Sequence, residues 1–213
     1  ERNMANNFVN SFANIPTAGE FYQSTGSATD NATGPQLVYR ANKDNPNSDA
    51  AGGTGVNSIL VELDASNTGT AGVALTAFIQ DASSTLGSIT SIVSSSDVAT
   101  VTTGSAHNLS VGMYVHVTGS TTAFVNGIYK VASVPSATTF TYAQNASAAN
   151  GTAAGTKVIY KAYHIVKDVT IPASSTLKIV SGQKIVLNAN DKVYAYASAA
   201  NVDLIAGILQ EVS

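Results

Sequence analysis

His107, His116 and His164 are the residues of this sequence best suited to proton transfer or metal ligation, and none has a second ligand at metal-binding spacing. His107 is expected to cap the turn before Leu109, and His116, alternating with Val115 and Val117, to face solvent. Asp44, Asn47 and Asp49 offer oxygen ligands in one loop. Their spacing misses the EF-hand series and Pro46 stands at a ligand position, so an exposed polar loop is expected in place of a calcium site. Gly52-Gly-Thr-Gly55 leads into a strand and therefore lacks the helix N-terminus that cradles phosphate. Asp81, Asp168, Asp191, Asp203 and Glu211 lie near element ends, and no sequence partner gives any of them an acid, base or nucleophile role. The reading is a protein that is not an enzyme, with no catalytic residues, no cofactor and no metal.

Aromatic residues are the more informative set. Tyr39, Tyr160, Tyr163, Tyr194 and Tyr196 sit on alternating strand positions, where a ring packs in a core or anchors an interface. Tyr160 and Tyr163, with Phe8, Phe12, Phe21 and Tyr22 near the N-terminus, are the candidate interface residues. Tyr114, Phe124, Tyr129 and Tyr142 are candidate exposed aromatics that would stack on sugar rings.

Composition narrows the function classes. Charged residues make up 11% of the 213 residues, against about 25% in average soluble proteins, and Ala, Ser, Thr, Gly and Asn replace them. Such a surface loses its water at lower cost than one rich in Lys and Glu, which suits burial against other proteins. The net charge is −3 and no Lys/Arg run occurs, so no nucleic-acid footprint is expected. No apolar stretch reaches the roughly twenty residues of a membrane helix, and residues 1–8 lack an apolar signal core, so neither a membrane partner nor export is expected. Cysteine is absent, which removes disulfides and thiolate metal sites.

These residues must be positioned by strands. Gln36–Arg40, Ser58–Leu63, Val73–Ile79, Val98–Thr102, Met113–Val117, Gly127–Val131, Thr138–Tyr142 and Lys157–Lys167 carry β-branched or aromatic alternation between Gly, Asn, Ser and Pro. Val169–Ile171, Thr176–Val180, Lys184–Leu187, Lys192–Ala197 and Val202–Val212 continue the pattern. Ser58–Leu63 and Val73–Ile79 are expected to form a hairpin, and Phe78-Ile79 to neighbour Val158-Ile159. Asn126-Gly127 signals a two-residue hairpin turn. Residues 1–35 show no sustained period and read as an extended arm. The expected fold is all-β: a sandwich or jelly-roll-like host of residues 36–86 and 156–213, carrying an inserted small β-barrel-like domain of residues 87–155.

Two stretches resemble known families. Ala106-His-Asn-Leu-Ser-Val-Gly112, Val115-His-Val-Thr-Gly119, Asn126-Gly-Ile-Tyr-Lys-Val131 and Thr138-Thr-Phe-Thr-Tyr142 resemble a small β-module of tailed-bacteriophage virion proteins, from whose turn pattern Asn108 and Met113 depart. Val169-Thr-Ile-Pro-Ala-Ser-Ser-Thr-Leu177, Gln183–Val193 and Asp203–Glu211, with Met4-Ala-Asn-Asn-Phe8, are similar to small structural proteins of cyanophages and their relatives. The resemblance implies a virion location after assembly in a bacterial cytoplasm, with no catalytic residues to carry over. Within that class the expected role is a decoration or cement protein on the capsid, in a homo-oligomer expected to be a trimer, in contact with other virion proteins such as the major capsid protein. A neck, tail or fibre-adaptor protein is the alternative within the class. A carbohydrate-binding module contacting host glycans is the alternative outside it.

Overall fold

The computed structural model describes residues 7–15, 35–44, 46–48, 52–122, 125–144 and 151–211, and over them the chain is all-β apart from one 3₁₀ turn at Ala82–Ser84. The strands are β1 (Asn7–Ile15), β2 (Gln36–Arg40), β3 (Ser58–Asn67), β4 (Val73–Gln80), β5 (Ile89–Ser95), β6 (Val98–Thr103) and β7 (Tyr114–Ser120). They continue with β8 (Gly127–Ser136), β9 (Thr139–Ala143), β10 (Gly151–Thr152), β11 (Gly155–Ile171), β12 (Ser175–Leu187), β13 (Lys192–Ala197) and β14 (Val202–Gln210). Two compact units result. Over described residues, the first takes 7–15, 35–83 and 164–211, and the second takes 84–163. The unit limit therefore falls inside β11 and not at residue 156, because Val158–Ala162 pairs with Tyr114–Thr118 of β7.

The first unit is a sandwich. One sheet has the order β1-β14-β3-β12, and the other layer runs β11-β4-β13-β2. Alternation along the strands delivers one face of each layer to a common core: Leu60, Leu63, Leu204 and Ile208 from the first, Val38, Leu75, Val193 and Ala195 from the second. Each large aliphatic side chain buried there stabilises by about 1.5–3 kcal/mol relative to exposure. Tyr39 is fully buried in this core, and its hydroxyl meets Ser58 Oγ at 2.8 Å and accepts from Gln210 Nε2 at 2.9 Å.

Two expectations fail here. β3 and β4 do not form a hairpin: β3 pairs with β14 and β12, β4 with β13, in different layers. Asn67 explains the crossing, since its Nδ2 donates to Ala71 O (2.7 Å), Ile171 O (3.1 Å) and Pro172 O (3.1 Å), while its Oδ1 accepts from Gly69 N. Those bonds hold the connection across the edge of the sandwich. The extended arm is, over residues 7–15, a regular strand paired with β14 from Asn7↔Gln210 to Ile15↔Val202. Residues 1–6 and 16–34 lie outside the described residues.

The second unit is a single antiparallel sheet ordered β10-β5-β6-β9-β8-β7-β11. β8 bends it: Gly127–Lys130 pairs with β7, whereas Val131–Ser136 pairs with β9 through two register shifts. No closed barrel is found among the described residues, so the barrel-like expectation gives way to an open, bent sheet. Its core holds Ile92, Val101, Val115, Val117, Phe140 and Ile159, with Tyr129 and Tyr142 stacked at 4.1 Å. β4 and β11 are neighbouring strands, as expected of the strands that carry Phe78-Ile79 and Val158-Ile159; Ile159 itself stands opposite Val117, and its carbonyl accepts from Leu86 N at 2.8 Å. Asn126-Gly127 is not a two-residue turn. It ends the longer β7–β8 connection, where Asn126 Oδ1 accepts from Ser120 N and Nδ2 donates to Ser120 O, both at 2.8 Å. The side-chain amide thus supplies one more rung of backbone-like pairing. Gly119, at φ +77°, allows β7 to approach Thr156 so closely that a Cβ would collide with the Thr156 carbonyl.

Candidate assembly surface

The chemistry-bearing residues are placed for structure. His107 Nδ1 accepts from Leu109 N at 3.0 Å, capping that turn as its position predicts, and its ring packs edge-on against Phe140 at 5.2 Å. His116 is buried, contrary to the expectation of a solvent-facing ring, on a strand internal to the sheet between β8 and β11. His164 is half-buried beside Phe78, at 6.3 Å between centroids. Burial lowers its pKa, Lys167 adds to that shift, and Asp168 opposes it. Among the described residues no three His, Asp or Glu side chains group to hold a metal ion.

The carboxylates have similar duties. Asp191 is buried and clamps two backbone groups, accepting from Ala82 N at 2.9 Å and Asn188 N at 2.8 Å; burial raises its pKa against the pull of those bonds. Asp44 Oδ2 accepts from Thr54 N at 2.8 Å and Asn47 Oδ1 accepts from Ser11 Oγ at 2.5 Å, so both loop oxygens bind within the fold. Asp49 lies outside the described residues. Asp81 caps Ser83, Asp168 pairs with Lys167, Asn14 donates to Asp203, and Glu211 meets Lys43 at 2.7 Å.

Of the candidate sugar-stacking aromatics, Tyr129 and Tyr142 are corrected to core residues. Tyr142 is fully buried, Tyr129 nearly so, and each covers the face of the other. Their inward positions follow from β8 and β9 register, Val131 opposite Tyr142, which turns odd residues of β8 and even residues of β9 to the core. Tyr114 is half-buried at the start of β7, and Phe124 lies outside the described residues. Tyr160 is half-buried opposite His116, and Tyr163 is exposed further along β11.

The interface candidates Phe8 and Phe12 are exposed, as Tyr163 is. They lie on β1 at 68% and 65% exposure, and Phe21 and Tyr22 lie outside the described residues. The register sets what surrounds them. Phe8 faces Leu209, Leu209 faces Ile59, and Ile59 faces Val186, so one apolar row crosses all four strands of the β1-β14-β3-β12 sheet. A second row runs from Phe12 to Ile205 and then to Asp64 and Lys178, ending in charge. Ile205 and Val186 are 47% and 65% exposed.

This outer face is chemically distinct from its inner one. Ser11, Ala13 and Ile15 point inward on β1 while Phe8, Asn10, Phe12 and Asn14 point outward, so the larger apolar groups are the ones in water. Charge on this face lies on β3 and β12, where Lys178 Nζ lies 4.0 Å from Glu62, and at Asp203 of β14, which accepts from the outward Asn14 of β1. Ile59, Val186, Ile205 and Leu209 were not singled out by sequence. Their signal was present in the adjacent apolar pairs Ile185-Val186, Leu204-Ile205 and Ile208-Leu209, which place an apolar group on both faces of one strand.

No protein-family model and no curated protein matches the chain.

Proposed function

We propose that this chain is a structural subunit of a bacteriophage virion, a capsid decoration or cement protein that stabilises the head through contacts among its own copies and with other virion proteins such as the major capsid protein. The supporting observation is the outer face of the β1-β14-β3-β12 sheet, where Phe8, Phe12, Ile205 and Val186 are exposed together. Contiguous apolar surface on an otherwise polar protein marks a place where another surface docks. Four strands about 4.8 Å apart and about nine residues long make a face of roughly 19 by 30 Å, about 570 Å², the larger part of the roughly 800 Å² that each partner buries in a specific interface.

The low charge of the chain supports the same reading, since fewer ions must be desolvated on docking. Repetition on a lattice then multiplies modest contacts by avidity. The glycan-binding reading keeps only Tyr114 of its aromatics among the described residues, and no observed feature favours it. The test is the protein composition of purified phage particles from the host that encodes the chain, measured by quantitative mass spectrometry. Stoichiometric recovery with the major capsid protein is expected; absence from intact particles rejects the proposal.

A further inference from the structure

We propose that β1 is an open edge that pairs with β1 of a second copy, antiparallel about Asn10, joining two four-stranded sheets into one of eight strands. Three features of the sheet carry this. First, β1 is the terminal strand, and no strand among the described residues pairs along its other side. An edge strand turns alternate N–H and C=O groups outward, ready to accept another strand.

Second, the two edges of this sheet are built differently. β12 carries two register shifts against β3, between Lys178 and Val180 and between Ser181 and Ile185, together with Lys178, Lys184 and a left-handed Gly182. Bulges and lysines of this kind prevent edge-to-edge pairing. β1, Asn7-Phe-Val-Asn-Ser-Phe-Ala-Asn-Ile15, has no charge, no proline and an unbroken register of nine residues. Among the described residues one edge is guarded and the other is open.

Third, the strand is complementary to itself. Phe8, Asn10 and Phe12 occupy successive outward positions, and this order reads the same in both directions, as a twofold antiparallel pairing requires. With Asn10 opposite the partner's Asn10, Phe8 meets the partner's Phe12 and Phe12 meets the partner's Phe8, giving two cross-strand aromatic pairs. Moved one step along, Phe8 would meet the partner's Asn14 and both aromatic pairs would be lost. In the favoured register the row Val186, Ile59, Leu209, Phe8 continues across the twofold axis into the partner's Phe12 and the partner's Ile205, so the apolar outer face becomes continuous. The assembly unit is then a dimer in place of the expected trimer.

This inference rests on reading the chain as an assembling structural subunit, and its test is made in solution on the purified full chain. The sequence has no cysteine, so an introduced one reports the pairing without background. Directly opposed residues of an antiparallel pair have Cα atoms about 4.5–5.5 Å apart, within the range a disulfide spans. Asn10→Cys is expected to form a covalent dimer on mild oxidation. Phe12→Cys alone is expected to stay uncrosslinked, whereas mixing Phe8→Cys chains with Phe12→Cys chains yields a mixed dimer. Sedimentation of the unsubstituted chain, which no folding defect of a variant affects, is expected to give a dimer. A monomer or trimer in sedimentation, an Asn10→Cys variant with native circular dichroism that does not crosslink, or self-crosslinking through Phe12→Cys overturns the proposal. A crosslinked dimer from a chain absent from particles would reject the virion reading alone.

Discussion

Phe12 stands directly opposite Ile205 in the β1–β14 ladder, with both side chains turned to solvent at 65% and 47% exposure. A cross-strand pair of this size contributes about 0.2–1 kcal/mol to its sheet, far less than the same groups would give if buried against another protein. Phe12→Asp and Ile205→Asp are therefore expected to leave the fold within about 1 kcal/mol of the parent while greatly reducing incorporation into particles. Thermal unfolding checks the first part and particle composition the second; a variant that incorporates normally would remove this face from the account.

Two buried tyrosines should respond to loss of a hydroxyl with opposite signs. Tyr142 OH lies in the core of the second unit with no hydrogen-bond partner among the described residues, and burial raises its pKa. Tyr142→Phe removes an unsatisfied polar group and is expected to stabilise by about 1 kcal/mol. Tyr39 OH is bonded to Ser58 and Gln210, and Tyr39→Phe would strand both in a dry core. A loss of about 1–3 kcal/mol is expected there. Urea denaturation of the two variants measures both changes.

Asn126 should be the most sensitive polar residue of the β7–β8 connection. Its amide makes two hydrogen bonds of 2.8 Å to the backbone of Ser120, one as donor and one as acceptor. Asn126→Asp keeps the acceptor and loses the donor, placing a carboxylate against the Ser120 carbonyl. The expected cost is about 1–3 kcal/mol, read as faster amide hydrogen exchange along β7 and β8. Unchanged exchange would show that the loop closes without this side chain.

Stability should fall on acidification through His164. Burial holds its pKa below the ordinary 6.5, with Lys167 acting in the same direction. The folded state thus prefers the neutral ring, so the contribution of His164 is complete above about pH 6.5 and is lost as pH falls through the lower folded value. Asp191 runs the other way in a more acidic window. Burial raises its pKa above 3.8, so its contribution is present below that value and is lost as pH rises through the folded one. Comparing melting temperatures at pH 7.5 and pH 5 should show a smaller drop for His164→Gln than for the parent; an equal drop would assign the dependence elsewhere.

β13 and β14 were legible because each is a short run rich in β-branched, aromatic or aliphatic residues and bounded by turn residues. β1 escaped because its outward Phe8 and Phe12 are larger than its inward Ser11 and Ala13, which cancels the period-two signal. The feature that hid the strand is the one that makes its surface interesting. β5 was missed because the register shift between Ile89 and Ser91 interrupts its alternation. β11 and β12 were each read as two shorter strands, since Asp168 and Gly182 take left-handed φ values inside otherwise continuous elements. The β3–β4 hairpin was expected from proximity in the chain, whereas two of the three hydrogen bonds donated by Asn67 at the crossing go to Ile171 and Pro172, over a hundred residues away.

For the site, sequence located two residues of the outer face, Phe8 and Phe12, but attributed them to an arm. The partners that make them a surface, Ile59, Val186, Ile205 and Leu209, become neighbours only once the four-strand register is known. Tyr129 and Tyr142 show the converse. An aromatic on an alternating strand carries the same sequence signal whether it faces the core or solvent, and the pairing register of β8 with β9 decides between them.

The most direct measurement is a cryo-electron microscopy map of intact phage particles from the encoding host, at a resolution that places individual strands. The account predicts the chain on the capsid lattice, with the outer face of the β1-β14-β3-β12 sheet, including Phe8, Phe12, Ile205 and Val186, covered by protein. A ring of copies confined to one vertex would assign it instead to the neck or tail. A chain found in the particle with that face open to solvent, or not found there, would contradict the account.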